Sequence, residues 1–309
     1  VKSRAHPVLA YAAVALAACA WGTWGLIVRR TDPAGAMPSA LQSTIVMAVM
    51  TAVSGVAALR DRVPGRAPRR ARAWVAWLGV SDSFNILLFF AAYKLTITVS
   101  VLTHYLTPIF VALAAPLVLR ERMTAWTAAA VFASFAGLAL MLAPSSGAAP
   151  SAVILTSALF GAGSAVFYAS NVLVNKLIAS HFSTSESMFW HGVVGTPLLA
   201  AFVSPSAWSA VDPRAAGLLA VAAIGPGALA GMTFVWGLRR MPAANASTLT
   251  LLEPLVSILL AAALLGERLG ARAIAGGALI LGGAVVVMRQ QAGASNPEQV
   301  DRAGAEKAR

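Results

Sequence analysis

The sequence predicts an all-α polytopic membrane protein with ten transmembrane helices, arranged as two inverted five-helix repeats. Three observations carry that prediction: apolar residues gather in ten runs of bilayer length, basic residues concentrate on alternate connections, and one constant offset aligns the two halves. The 309 residues are 59% hydrophobic and 11% charged, against about 25% charged in a soluble domain, which excludes a water-soluble globule. The 25 Gly and 16 Pro are dispersed, so the chain is neither collagenous nor low in complexity.

A bilayer core needs about 20 apolar residues per helix. Suitable runs occupy residues 8–28, 37–59, 73–93, 97–119, 125–143, 151–175, 185–204, 215–237, 244–265 and 271–288. The first follows Lys2, Arg4 and His6 as a signal peptide would, but it is long enough to span and is read as a retained helix. The first repeat then covers 1–143, a linker 144–150 and the second repeat 151–288. A basic loop from Arg60 to Arg72 and a polar, disordered tail at 289–309 complete the chain. Trp74, Trp77, Trp126, Trp208 and Trp236 fall near run ends, where indole rings favour the headgroup level. Trp21, Trp24 and Trp190 do not, which marks them for an internal surface.

The formal charge of +12 could suit nucleic acid, but its distribution argues for topology. Counting connections alternately, 17 of the 23 basic residues lie on one side, including the Arg60–Arg72 loop, Arg120, Arg122, Lys176, Arg239 and Arg240. Only Arg29, Arg30, Lys94, Arg214, Arg268 and Arg272 lie on the other. By the positive-inside rule both termini are cytoplasmic, the protein sits in the inner membrane, and the basic loop meets anionic lipid rather than nucleic acid. Cys19 is the single cysteine, which excludes an intrachain disulfide and a thiolate metal cluster. No metal or cofactor is expected.

A shift of 146 residues aligns the halves without a gap. Leu106-Thr107-Pro108 falls on Leu252-Glu253-Pro254, Glu121-Arg122 on Glu267-Arg268, and Gly137 on Gly283. Between 92–142 and 238–288 there are ten identities in 51 positions, against about four expected from an Ala- and Leu-rich composition. Five helices per half is an odd number, so the second half enters the membrane inverted, a construction common among secondary transporters. Channels and inert membrane proteins also arise by duplication.

Ala20-Trp21-Gly22, Leu106-Thr107-Pro108 and Leu119-Arg120-Glu121-Arg122, mirrored by Leu252-Glu253-Pro254 and Leu265-Gly266-Glu267-Arg268, resemble the EamA branch of the drug/metabolite transporter superfamily over about residues 8–288. The resemblance implies ten helices, cytoplasmic termini, a central cavity between the halves, and export of small metabolites, amino acids or drugs. The first half departs at Arg120, where the second has Gly266, and at Thr107, where the second has Glu253.

Polar groups at bilayer depth usually face a cavity or a partner helix. Of the eleven acidic residues only Asp82 and Glu253 lie well inside apolar runs, with His104 and His191 as the internal histidines. Helical spacing puts Thr250, Glu253 and Ser257 on one face of the ninth run, opposite the repeat partners His104 and Thr107 in the fourth. The sixth run carries Ser164, Tyr168, Asn171 and Asn175 on one stripe, and the third carries Asp82 and Asn85. With Trp21, Trp24, Tyr105 and Trp190 these residues are expected to converge on one substrate cavity, and Asp82, Glu253 and His104 are candidates for proton coupling. Each also has a purely structural reading. Glu253 can satisfy backbone groups freed by Pro254, the histidines can make neutral interhelical bonds, and the aromatic residues can simply pack. The small-residue pairs Gly227/Gly231 and Ala278/Gly282 are read as close helix contacts, and Glu121 and Glu267 as interfacial ion pairs with their Arg neighbours.

No lysine or arginine falls near a helix centre, so a phosphorylated substrate, which wants a buried base, fits poorly. Neutral, zwitterionic or cationic small molecules fit better. The leading function is therefore secondary active transport, with a membrane-embedded enzyme or a passive channel as the alternatives. An enzyme would need a nucleophile with a base or a ligand cluster, and the scattered internal residues show no such spacing.

Overall fold

The computed structural model describes residues 7–31, 37–142, 150–265 and 270–294. Every described element is helical: α1 (Pro7–Trp21), α2 (Trp24–Thr31), α3 (Ser39–Ala58), α4 (Arg69–Leu95), α5 (Ile97–His104), α6 (Thr107–Val118), α7 (Ala125–Met141), α8 (Ser151–Leu177), α9 (Thr184–Ala200), α10 (Pro205–Ser209), α11 (Pro213–Ala222), α12 (Ala230–Leu238), α13 (Ala243–Leu249), α14 (Leu252–Leu265) and α15 (Ala271–Ala294). A π-helical turn, Ala223–Leu229, joins α11 to α12.

Among the described residues, eight stretches are long and apolar enough to cross a membrane: Val8–Val28, Ser39–Ala58, Arg69–Leu95, Ile97–Val118, Ser151–Leu177, Pro213–Leu238, Ala243–Leu264 and Ala271–Arg289. The helices α7 and α9, at 17 residues each, rise about 26 Å and are shorter than these. Helix starts follow local chemistry. Ser183 and Glu186 close a capping box on α9, Thr124 caps α7, and Asp212 accepts from two backbone N–H groups ahead of Pro213 in α11, each satisfying donors the first turn leaves free.

Four of the long apolar runs are broken or distorted at mid-length. α1 ends at Trp21 and α2 begins at Trp24; α5 gives way to α6 across Tyr105-Leu106, and α13 to α14 across Thr250-Leu251. The last two breaks are repeat-related, each just ahead of a proline, Pro108 or Pro254. Proline has no N–H for the carbonyl four residues back. In the first half Thr107 Oγ1 takes over that carbonyl, donating to His104 O at 2.7 Å and also to Ala165 O of α8 at 3.3 Å. The fourth irregularity is the π-helical turn, which contains Pro226.

Packing runs between the halves. The main pairs are α7 with α15, α4 with α8, α3 with α9, α4 with α9, and α1 with α12. Exchanging the halves maps α7/α15 and α3/α9 onto themselves and α4/α8 onto α12/α1, as a duplicated architecture requires. Small residues permit the closest approach: a Cβ on Gly137 would lie 2.5 Å from the Gly276 carbonyl oxygen.

Several expectations change here. The helix α15 continues through Arg289 to Ala294, so the first six residues of the supposed disordered tail are helical, and α4 begins at Arg69, inside the supposed loop. Ala278 and Gly282 face outward, with nothing near Gly282. The close contact instead uses Gly276 and Gly283, the phase in which Ile280 is buried. Gly231 does pack closely, against Met188 and Met50. Residues 143–149, which hold the expected linker 144–150 except for Pro150, Gly266-Glu267-Arg268 and residues 295–309 lie outside the described residues.

Candidate functional site

A cavity of about 540 Å³ lies between the halves. At its base stand Asp82 of α4 and Glu253, the second residue of α14. Trp21 and Trp24 flank the α1–α2 break, Phe89, Phe90 and Tyr93 extend the wall along α4, and Ser257 and Ala261 do so along α14. The far wall is α3, through Gln42, Ser43, Val46, Met47 and Met50, with Pro226 and Gly227 of the π-turn beside it. Three of the four interrupted runs thus reach the cavity, through Trp21 and Trp24, through Pro226 and Gly227, and through Glu253, where irregular backbone is tolerated because it faces a cavity or protein rather than lipid. The described lining contains two carboxyl groups and no lysine or arginine.

Behind Asp82 a hydrogen-bonded chain links four helices. Asp82 Oδ1 accepts from Asn171 Nδ2 at 2.8 Å and from Asn85 Nδ2 at 3.2 Å, and Oδ2 meets His191 Nε2 at 2.9 Å. Ser164 Oγ sits 2.8 Å from Asn85 Oδ1, 2.9 Å from Asn85 O and 2.8 Å from His104 Nδ1. His104 in turn stacks on Tyr168, centroids 5.4 Å apart and nearly parallel, and tilts against Phe89 at 4.6 Å. The Tyr105 side chain lies beside the Glu253 carboxyl, which ties the two acidic groups into one aromatic-walled region.

The expected site residues therefore divide. Trp21, Trp24, Asp82, Glu253 and Ser257 line the cavity. Asn85, Ser164 and Asn171 are buried one layer behind it, with His104 and Tyr168 beside them. Thr107 and Thr250 are buried and bond backbone carbonyls at the helix breaks. Trp190 is 41% exposed and lines a different hollow, beside the basic loop. Asn175 bonds back to Asn171 O and does not reach the cavity lining.

A family model, the EamA-like transporter family, matches residues 8–143 and again 155–289. The chain belongs to the EamA-like transporter family. One solved structure, described only as "Crystal structure of protein", superposes with a TM-score of 0.75 at 22% identity, covering 95% of this chain and 100% of that one. No curated protein matches. The EamA assignment agrees with the paired Leu-x-Pro motifs; both motifs mark helix breaks, and the second brings Glu253 to the cavity.

In this EamA chain the membrane end opposite the cavity is tied by polar contacts. Glu121, after α6, pairs with Lys176 of α8 and accepts from Ala243 N at 2.7 Å; Lys176 also donates to Met241 O. Its partner is therefore the second half, not the adjacent Arg122, because the chain turns at Arg120 with φ +56°. Arg239 donates to Asn175 O, Phe182 O and Ser187 Oγ at 3.1, 2.8 and 2.9 Å. Burial, with Arg240 beside it and Asp61 opposing, pulls Arg239 down to about 10, so it is cationic at neutral pH.

A search for polar groups misses the α3 wall. Its signal is the stripe Ser43, Val46, Met47 and Met50 at i, i+3, i+4 and i+7, in which methionine supplies an adaptable apolar surface. His191 is visible in the sequence, but its partnership with Asp82, 109 residues away, is set by the packing of α4 on α9.

Proposed function

We propose that this chain is a secondary active transporter that exports a small amphipathic molecule, neutral, zwitterionic or cationic, by alternating access across the inner membrane. The observation that carries this reading is the cavity itself: two carboxyl groups at the base, aromatic walls and no described cation. A substrate ammonium there meets a carboxylate and the faces of Trp21 and Trp24, whereas a phosphate finds no base.

Ten spans in two halves of five, the second inverted, account for packing that survives exchange of the halves and for repeat-related helix breaks. Both termini are cytoplasmic in this reading, since the basic residues cluster at that end. The cavity then extends from Asp82 and Glu253 toward Tyr93 and Ala261 near the external helix ends, while the Glu121–Lys176 and Arg239 contacts tie the cytoplasmic end. This supports an outward-facing state. Asp82 and Glu253 serve as the coupling groups, each held by substrate or by a proton in turn, and His104 and His191 tune the hydrogen-bonded chain behind Asp82.

The test is a thermal-shift screen of the purified full chain against amines, amino acids, neutral amphiphiles and sugar phosphates. Amines or zwitterions give the largest upward shift, since a ligand at about a hundred times its Kd adds about 2.7 kcal/mol, and Asp82→Asn weakens the response to amines. A sugar phosphate as the best stabiliser would contradict the reading.

A further inference from the structure

Between the basic loop and α9 lies a second hollow, of about 720 Å³, that the transport chemistry does not use. Its rim carries Arg62, Arg66 and Arg72, and its wall includes Phe182, Trp190 and Val194. The loop that bears the rim is held in place: Val63 N donates to Glu186 Oε2 at 3.0 Å, Arg62 Nε lies 3.7 Å from Glu186 Oε1, and Gly65 takes φ +97° to make the turn. Glu186 is the one acidic residue of the described lining, and it is already engaged by Ser183 N in the α9 capping box. Arg66 and Arg72 are exposed and form no ion pair among the described residues.

The hollow is polar at one end and apolar along its depth. Trp190 stands six residues into α9 and Val194 ten, about 9 and 15 Å below the helix start at 1.5 Å per residue. That carries the wall from headgroup level well into a hydrocarbon core about 30 Å thick. The 41% exposure of Trp190 is therefore presented to acyl chains.

We propose that this hollow binds an anionic phospholipid, with its headgroup phosphate on Arg66 and Arg72 and one acyl chain along Trp190 and Val194. Guanidinium forks suit phosphate oxygens bidentately, and basic pockets at the membrane surface select anionic headgroups. A soluble phosphate would use the rim alone, whereas a phospholipid uses rim and wall together.

The test is native mass spectrometry of the full chain in neutral detergent, titrated with dioleoylphosphatidylglycerol, dioleoylphosphatidylcholine or glycerol phosphate. Phosphatidylglycerol binds about tenfold tighter than phosphatidylcholine or more, from roughly 1 kcal/mol per arginine, and R66Q/R72Q abolishes the preference. Both side chains are exposed, so the double variant keeps its helical circular dichroism. In nanodiscs, phosphatidylglycerol brominated on its chains quenches a fluorescence component that is absent from W190F. Equal binding of the two lipids, an unchanged preference in R66Q/R72Q, or glycerol phosphate binding as tightly as the lipid would overturn the proposal. So would identical quenching in W190F.

Discussion

Arg120 adopts φ +56° immediately after α6, a conformation that costs a residue with a Cβ about 1–2 kcal/mol and is usually taken by glycine at a helix end. The turn brings Glu121 back so that its N–H reaches Ala115 O and its carboxylate reaches Lys176 and Ala243 N. The repeat-related position is Gly266. Arg120→Gly is therefore expected to stabilise the protein by about 1 kcal/mol, read as a higher midpoint in denaturant or thermal unfolding in detergent. A lower midpoint would show that the guanidinium makes a contact worth more than the strain. Substitution at Glu121 should act oppositely, because it leaves Lys176 half-buried without its carboxylate.

At the scale of elements, cross-half contacts such as α7 on α15 govern stability. Gly137→Leu forces a side chain into the space of the Gly276 carbonyl, and backbone cannot swing aside as a side-chain tip can. A loss of about 3 kcal/mol is expected, in the range of overpacked cores, measured against Gly282→Leu, which meets open space and should be nearly neutral. If both behave alike, the α7–α15 contact is misassigned. The helices themselves are legible in the sequence because apolar runs of bilayer length have few other uses, and Pro254 marks the disturbance of its helix; the matching break before Pro108 follows from the repeat. The phase of a uniformly apolar helix is not: with Ala, Gly and Leu on every side of 271–288, nothing in the pattern distinguishes the Gly276/Gly283 face from the Ala278/Gly282 face. Likewise Asp82, Asn85 and Asn171 could be picked out as polar exceptions, but their joining to His191 depends on tertiary packing. Trp190 obeyed the same rule as Trp21 and lies at a different surface.

For the molecule as a whole, the duplication explains why one cavity draws on both halves and why its acidic residues are not a symmetric pair. The repeat partner of Glu253 is Thr107, which holds a helix break together, and Asp82 comes from a different helix of the first half. The two carboxyl groups thus occupy distinct surroundings, Asp82 bonded to amides and an imidazole, and Glu253 beside Tyr105 at the start of α14. In the proposed coupling both groups take part, each exchanging substrate for a proton in its own surroundings. The most direct measurement is flux of a substrate amine into or out of proteoliposomes with and without an imposed pH gradient, for the wild type, Asp82→Asn and Glu253→Gln. The account predicts gradient-driven flux in the wild type that falls at least about tenfold, a loss of about 1.4 kcal/mol or more in the barrier-determining step, in each variant, with binding of neutral ligands retained. Gradient dependence unchanged in both variants would contradict it.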